Sequence, residues 1–435
     1  MHIAYFSERP YHPLDEELTI AQGIWGIPNR YFDPAVGARL YNEYLDQAVL
    51  AEESGYDGIV LNEHHGLVTC MGAVANVEAA ILARITKRCR IIMLGNLPTI
   101  VGNPLRLAEE LAEIDLISGG RLVSGMVRGG GTEQLANNSN PAFNRECFEE
   151  AHDFIIKAWT MPGPFRYEGR HFHYRFVNPW ALPLQKPHPP IWVPGLVSPE
   201  TVTWCAERNY PYVALSTYLE PTIDLWDLYC ETAARKGYQA GPENFGYLQK
   251  VVVAETESEA RELAMLELQG GRAAAFAAIR PEFMFPPGYN SKKAAGRMAR
   301  QFRNPKGGDE LFVPRGDFDV GEAKKTINSP AQLKILEDSY RLIVGTPESV
   351  VPKIRKILEV LRPGSFIIRH SDGPLDHQTR MRLIRLIGQR LLPALREIGS
   401  ELGLVSPFDR KPGGQRLSSG GAWQRVARVD ALSAL

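Results

Sequence analysis

Cysteine is scarce in this chain and scattered. Cys70, Cys89, Cys147, Cys205 and Cys230 are the only five, and no two stand as Cys-x-x-Cys. An odd, dispersed set argues against a disulfide framework or a thiolate zinc site and fits a reducing cytoplasm. His-Glu-x-x-His is absent and no carboxylate–histidine set recurs, so no metal is expected. Charge of one sign is missing as well: 49 basic residues face 50 acidic ones, a formal net charge of −1. That balance gives neither nucleic acid nor a membrane surface an electrostatic footing. No apolar run is long enough to span a bilayer, and MHIAYFSERP has neither the basic lead nor the apolar core of a signal peptide. The serine-hydrolase elbow and the Walker phosphate loop are absent too. What is present is a globular composition, 44% hydrophobic and 23% charged, in a chain long enough for two or three average domains or one α/β barrel.

Strand and helix patterns alternate along it. His2–Phe6 reads as a strand, and Ser7–Asp33 as a long loop with Pro, Tyr and Trp. Pro34–Ser54 reads as a helix closed by Gly55, and Asp57–Leu61 as a second strand ending in Asn62-Glu63-His64-His65. A helix over Gly72–Lys87 leads to a third strand, Arg90–Leu94, ending in Gly95-Asn96. The stretch from Asn103 to Gly131 is the most legible. Asn103 caps a helix, Pro104 fits its first turn, and Leu107, Ala108, Leu111, Ala112 and Ile114 recur at helical spacing. Ser118-Gly119-Gly120 ends it, and Leu122–Val127 is an apolar run suited to a strand buried on both faces. A helix over Ala142–Trp159 and a hairpin over Phe165–Phe176, turning at Glu168-Gly169, come next. Then follow strand Pro190–Pro194 with helix Pro199–Arg208, strand Tyr212–Ser216 with helix Leu225–Lys236, and strand Gly246–Ala254. Strand Ser365–His370 and a helix over Asp376–Leu402 close the series. Asn103-Pro104, Asn140-Pro141, Ser198-Pro199 and Thr346-Pro347 each pair a cap with a first-turn proline.

Eight such repeats predict an α/β protein, a closed parallel (β/α)8 TIM barrel. The rival is a doubly wound open sheet. Its glycine fingerprint would follow the first strand, where this chain has Ser7-Glu-Arg-Pro10. Residues 1–402 are read as one barrel domain. Residues 269–330, long and weakly periodic, read as a lid-like insertion, and residues 403–435 as a flexible tail.

The chemistry gathers at predicted strand ends. Arg128 beside Gly129-Gly130-Gly131 is either a phosphate cradle or a charged residue in a flexible loop. Ser198-Pro199-Glu200-Thr201 opens a helix whose free donors suit a phosphate, with an ordinary cap as the alternative. Glu63, His64 and His65 end the second strand, where successive side chains point to opposite sides. One histidine facing the mouth would accept a proton near neutral pH; a histidine satisfied by hydrogen bonds under a loop is the plainer reading. His171 and His173 share a face of the hairpin and read as surface residues.

These motifs, in order, resemble the bacterial luciferase-like, flavin-dependent monooxygenases. The residues that carry the likeness are Gly55-Tyr-Asp-Gly58, Leu61-Asn-Glu-His-His65, Leu97-Pro-Thr99, Asn103-Pro-Leu-Arg106, Ala108-Glu-Glu110, Asp115-Leu-Ile-Ser-Gly-Gly-Arg121, Arg128-Gly129, Pro190-Ile-Trp-Val-Pro-Gly195 and Val344-Gly-Thr-Pro-Glu348. The resemblance spans residues 1–402 apart from the insertion. It implies a barrel that takes reduced FMN from a separate NAD(P)H:flavin reductase. It also implies insertion of one oxygen atom of O2 into a small organic substrate, an aldehyde or ketone, through a flavin hydroperoxide. His64 and His65 match the family's paired histidines, the first being the candidate for acid–base work. Asn62, Glu63, Gly95, Asn96, Arg128, Gly129, Gly195, Val197 and Ser198 are the implied flavin contacts, and Tyr5 and Trp25 the implied substrate contacts. Pro194 and Leu196 depart from luciferase in the phosphate loop, and Val127 stands where luciferase has a reactive cysteine, so light emission is not expected. A homodimer or homotetramer is expected. Three alternatives stay open: hydride transfer with a deazaflavin coenzyme, a flavin-binding protein without catalysis, and a metal-dependent barrel hydrolase.

Overall fold

The computed structural model describes residues 1–15, 18–19, 26–196, 198–269, 288, 329–409, 415–416 and 423–431. Eight strands close into a parallel barrel: β1 (His2–Phe6), β2 (Gly58–Leu61), β3 (Arg90–Met93), β4 (Leu122–Gly125), β5 (Ile191–Gly195), β6 (Tyr212–Leu215), β7 (Phe245–Val253) and β8 (Ser365–Arg369). Each pairs with its neighbours in chain order, and β8 closes on β1 with Phe6 beside Arg369. The intervening helices are α1 (Pro34–Glu53), α2 (Ala75–Ile85), α3 (Pro104–Ser118), α4 (Asn144–Thr160), α5 (Pro199–Arg208), α6 (Leu219–Arg235) and α7 (Pro347–Leu361). The last, α8, runs over His377–Leu386 and on through a wide turn at Ile387–Leu391 to Leu392–Glu401.

The pleat divides the apolar residues into two layers. Ala4, Phe6, Val60, Ile92, Val123, Trp192, Val213, Leu248 and Ile367 fill the barrel interior. Residues of the other parity, such as Ile3, Ile59, Ile91, Val193 and Phe366, pack outward against the helices. The barrel is therefore a filled core, and chemistry is confined to its carboxyl-end mouth.

Local signals set the element ends. In α3 the Asn103 side chain accepts from the Arg106 amide at 3.2 Å, and Gly119 takes the left-handed conformation (φ +67°) that ends the helix. Ser198, Thr346 and Asp376 cap α5, α7 and α8 in the same way. The Asn140-Pro141 pair opens a 3-10 turn, Pro141–Phe143, and α4 proper begins at Asn144. α6 starts at Leu219, a turn and a half before the expected Leu225, because Leu219, Thr222 and Ile223 are buried.

Two features go beyond the expectations. A strand of three residues, Ile343–Gly345, pairs with the outer half of β7. It joins helices Glu257–Gln269 and Pro330–Asp338 in a satellite core of Val252, Ala260, Leu263, Leu333 and Val344. The tail is not loose in its described parts. Phe408 closes the barrel's lower end, its ring 4.8 Å from His2 and 5.6 Å from Trp192, with Arg90 stacked 4.2 Å above it. Further on, Gln415–Arg416 pairs with Tyr238–Gln239, and Val426 and Ala427 are buried. The lid-like insertion expected over residues 269–330 lies almost wholly outside the described residues.

Candidate active site

The mouth is built from the residues that follow β1, β2, β3, β4, β5, β7 and β8. At the end of β2 the two histidines diverge. His64 Nδ1 lies 2.9 Å from Glu133 Oε1, and the second oxygen of that carboxylate accepts the backbone N–H of His65 at 3.1 Å. Glu133 belongs to a short helix, Gly131–Ala136, that the glycines after β4 turn back toward β2. Its side chain is 3% exposed, whereas that of His64 is 37% exposed. Burial opposes protonation of His64, but the Glu133 hydrogen bond and the Glu8 and Glu133 charges outweigh it, so its pKa is raised. His65 Nε2 stands 3.6 Å from Glu63 Oε1, an ion-pair distance, and that carboxylate raises its pKa.

At the end of β3, Asn96 is wholly buried. Its Nδ2 donates to Asn76 Oδ1 at 2.9 Å and reaches Glu63 Oε2 at 3.4 Å, and its Oδ1 has no hydrogen-bond partner among the described residues. Asn62 donates to Glu8 Oε2 at 2.6 Å. Gly95 is required by the sheet itself: a Cβ there would sit 2.6 Å from the Gly125 carbonyl carbon. Gly129 has φ +79°, and a side chain on it would press on Leu97.

The cradle forms between β4 and β5. The Arg128 carbonyl accepts from Thr99 Oγ1 at 3.1 Å and Asn144 Nδ2 at 2.8 Å, and its Nη1 donates to Asn144 Oδ1 at 3.4 Å. Arg145, next in α4, sends Nη2 to Ser198 Oγ at 3.1 Å and Thr201 Oγ1 at 3.3 Å, at the amino end of α5. Burial and then the neighbouring Arg128 lower its pKa, while Glu149, 3.5 Å from Nη1, and Glu200 raise it. A guanidinium and a cap hydroxyl at a helix start can together hold an anion such as a phosphate monoester. Glu200 also accepts from Ser198 Oγ at 3.1 Å. A groove of about 350 Å³ is lined by Arg145, Glu149, Glu200 and Trp204 and by none of the mouth's histidines.

Among the described residues the expected ones fall into two groups at the carboxyl ends of the strands. Asn62, Glu63, His64, His65 and Asn96 stand after β2 and β3, and Arg128 and Ser198 after β4 and β5. Two others stand apart. Tyr5 does not reach the mouth: it is 4% exposed, meets the His370 ring at a tilt with centroids 4.8 Å apart and points its hydroxyl to Gln47 on α1. The pleat decides this, since Tyr5 shares the outward parity of Ile3. Gly195 stays at the end of β5, where its missing side chain makes room for the Tyr212 ring. Trp25 and Val197 lie outside the described residues. Glu133 and Arg145 escaped the sequence reading. A cation in the first turn of a helix, against the helix dipole, was the available sign of Arg145; a six-residue helix gives no periodicity to mark Glu133.

This barrel and its mouth define the class. The sequence profile of luciferase-like monooxygenases matches residues 25–361, and the chain belongs to that family. Solved structures share the fold at low identity. The monooxygenase RslO1 from Streptomyces bottropensis is 21% identical, with a TM-score of 0.63 over 91% of this chain and 100% of its own. The oxygenating constituent of 3,6-diketocamphane monooxygenase from Pseudomonas putida, solved with FMN, is 19% identical, with a TM-score of 0.64 over 90% of this chain and 98% of its own. An F420-dependent secondary alcohol dehydrogenase is 14% identical, with a TM-score of 0.57 over 82% of this chain and 95% of its own. No helix among the described residues is long and apolar enough to cross a membrane.

Proposed function

We propose that this protein is the oxygenase half of a two-component, FMN-dependent monooxygenase acting on a small carbonyl compound. The observation that carries the reading is Arg145 at the capped start of α5, with Arg128 after β4 bonded to the adjoining Asn144 and the His64–Glu133 pair after β2. Family membership supports it, as do the FMN named with the camphane enzyme and the absence of a nicotinamide fingerprint in this chain, which leaves reduction to a separate reductase.

Each residue has a definite part. Arg128, Arg145 and Ser198 hold the phosphate, and Thr201 Oγ1 fixes Arg145 in place. Gly95 and Gly125 let β3 and β4 approach closely at the floor of the mouth. Bound reduced FMN supplies the electrons that activate O2. With its Nδ1 committed to Glu133, His64 holds or moves a proton at Nε2, and the buried carboxylate keeps that proton available near neutral pH.

Anaerobic titration tests the cofactor directly. Wild type should bind reduced FMN and discriminate against a deazaflavin coenzyme. Arg145→Ala should weaken FMN by about 1.5–3 kcal/mol, the worth of a charge-assisted hydrogen bond. With 18O2 and a flavin reductase, one labelled atom should appear in product. Unchanged FMN affinity in Arg145→Ala would move the phosphate elsewhere, and preference for the deazaflavin would replace oxygenation by hydride transfer.

A further inference from the structure

Two buried arginines and a half-buried one stand on the β8–β1–β2 side of the mouth, and the two buried ones are spent on the fold. Arg380 directs Nε, Nη1 and Nη2 to the carbonyls of Leu375, Ser371 and Gly373. Arg9 sends Nη1 and Nη2 to the carbonyls of Ser7 and Asn62 and pairs its Nε with Glu78 at 2.9 Å. Arg369 differs. It is the last residue of β8 and shares the inward parity of Ile367. Its Nε donates to Asp372 Oδ2 at 2.9 Å and its Nη1 pairs with Glu8 Oε1 at 3.1 Å. Its Nη2 donates to no described residue, and the side chain keeps 20% of its surface exposed.

The two anchors are themselves fixed. Asp372 is buried, and its other oxygen accepts from Ser7 Oγ and the Glu8 amide. Glu8 takes Asn62 Nδ2 on its second oxygen, and Asn62 is two residues before His64. The guanidinium is thus held at two nitrogens, which leaves Nη2 to the exposed part of the side chain.

We propose that Arg369 is the substrate-binding arginine of this barrel, and that its Nη2 receives the carbonyl oxygen of a neutral aldehyde or ketone. This rests on the oxygenase reading above and adds the polarity of the substrate. Two carboxylates already face one guanidinium, and the adjacent cation, Lys250, is paired with Glu267. A substrate carboxylate at Nη2 would lie beside the two anions that already pair with this guanidinium. A carbonyl oxygen accepts the same N–H without bringing charge.

Calorimetry on the full-length protein without flavin, with 2-octanone and octanoate as probes, tests this. Wild type should bind 2-octanone at least ten-fold more tightly than octanoate. Arg369→Gln should lose at least ten-fold for 2-octanone while binding reduced FMN within two-fold of wild type. Glu8→Gln removes one of the two anions and should gain affinity for octanoate, a gain that misfolding cannot produce. Binding of neither probe, a preference for octanoate, or wild-type affinity for 2-octanone in Arg369→Gln would overturn the assignment. Failure of wild type to bind reduced FMN would instead overturn the flavin reading and leave the octanone result to decide Arg369.

Discussion

A histidine at a strand end has no fixed protonation state until its second nitrogen is accounted for, and here Glu133 accounts for it. The carboxylate sits under His64 and ties down the His65 amide, so one buried anion fixes both the ring and the turn that follows β2. The sign of its effect can be tested. Glu133 raises the His64 pKa, so Glu133→Gln should let it fall toward or below the ordinary value. A coupled rate that needs the neutral imidazole should then reach its plateau at lower pH in the variant. Proton NMR titration of His64 should show the same acid-ward displacement. An unmoved midpoint in both measurements would remove Glu133 from this role. The histidine pair, Arg128 and Ser198 were legible in the sequence because each ends an apolar run or begins a capped one. Glu133 and Arg145 were not, because their importance lies in what a distant strand brings beside them.

Elements were legible where a local rule decides them. The cap and glycine stop of α3, the proline starts of α5 and α7, and the apolar runs of the barrel strands all act within a few residues. The three-residue strand Ile343–Gly345 has no such rule; only pairing with β7 makes it a strand. The start of α6 was misplaced because its first turn is held by burial and Tyr218 supplies no side-chain cap. Gly125 is the element-scale counterpart of Glu133: inside an apolar run it looks like a neutral filler, yet a Cβ on it would lie 1.6 Å from the Met93 carbonyl oxygen. β3 and β4 approach there more closely than any side chain allows. Gly125→Ala should therefore cost about 3 kcal/mol or more in chemical denaturation, at the upper end of overpacking effects. It should also weaken FMN binding, since the same strand ends carry Gly95 and Arg128. A variant as stable as wild type would mean that the two strands can part without consequence.

At the scale of the whole molecule, the two ends of the barrel separate what it does from what keeps it folded. The upper end carries the candidate site; the lower end is packed with rings. There His2 lies between Trp192 and Phe408, 6% exposed, with no hydrogen-bond partner for either ring nitrogen among the described residues. Burial pushes its pKa down to about 4, and burial likewise pushes His370 to about 3. The unfolded chain takes up these protons near pH 6.5, whereas the folded chain resists them until about pH 4 for His2 and about pH 3 for His370. Through that window the unfolded state binds more protons, so stability rises with pH and is lost on acidification, by up to roughly 3 kcal/mol for His2 alone. The tail belongs to this account, because Phe408 is part of what keeps His2 dry. Phe408→Ala should cost roughly 2 kcal/mol at pH 7.5, less than a fully buried phenylalanine would. It should also let water reach His2 and bring its pKa back toward 6.5. The variant would then lose less stability than wild type between pH 7.5 and pH 4.5, and the gap between the two should narrow in urea denaturation at the lower pH. A gap of equal size at both pH values would show that Phe408 contributes packing alone and that His2 stays neutral without it.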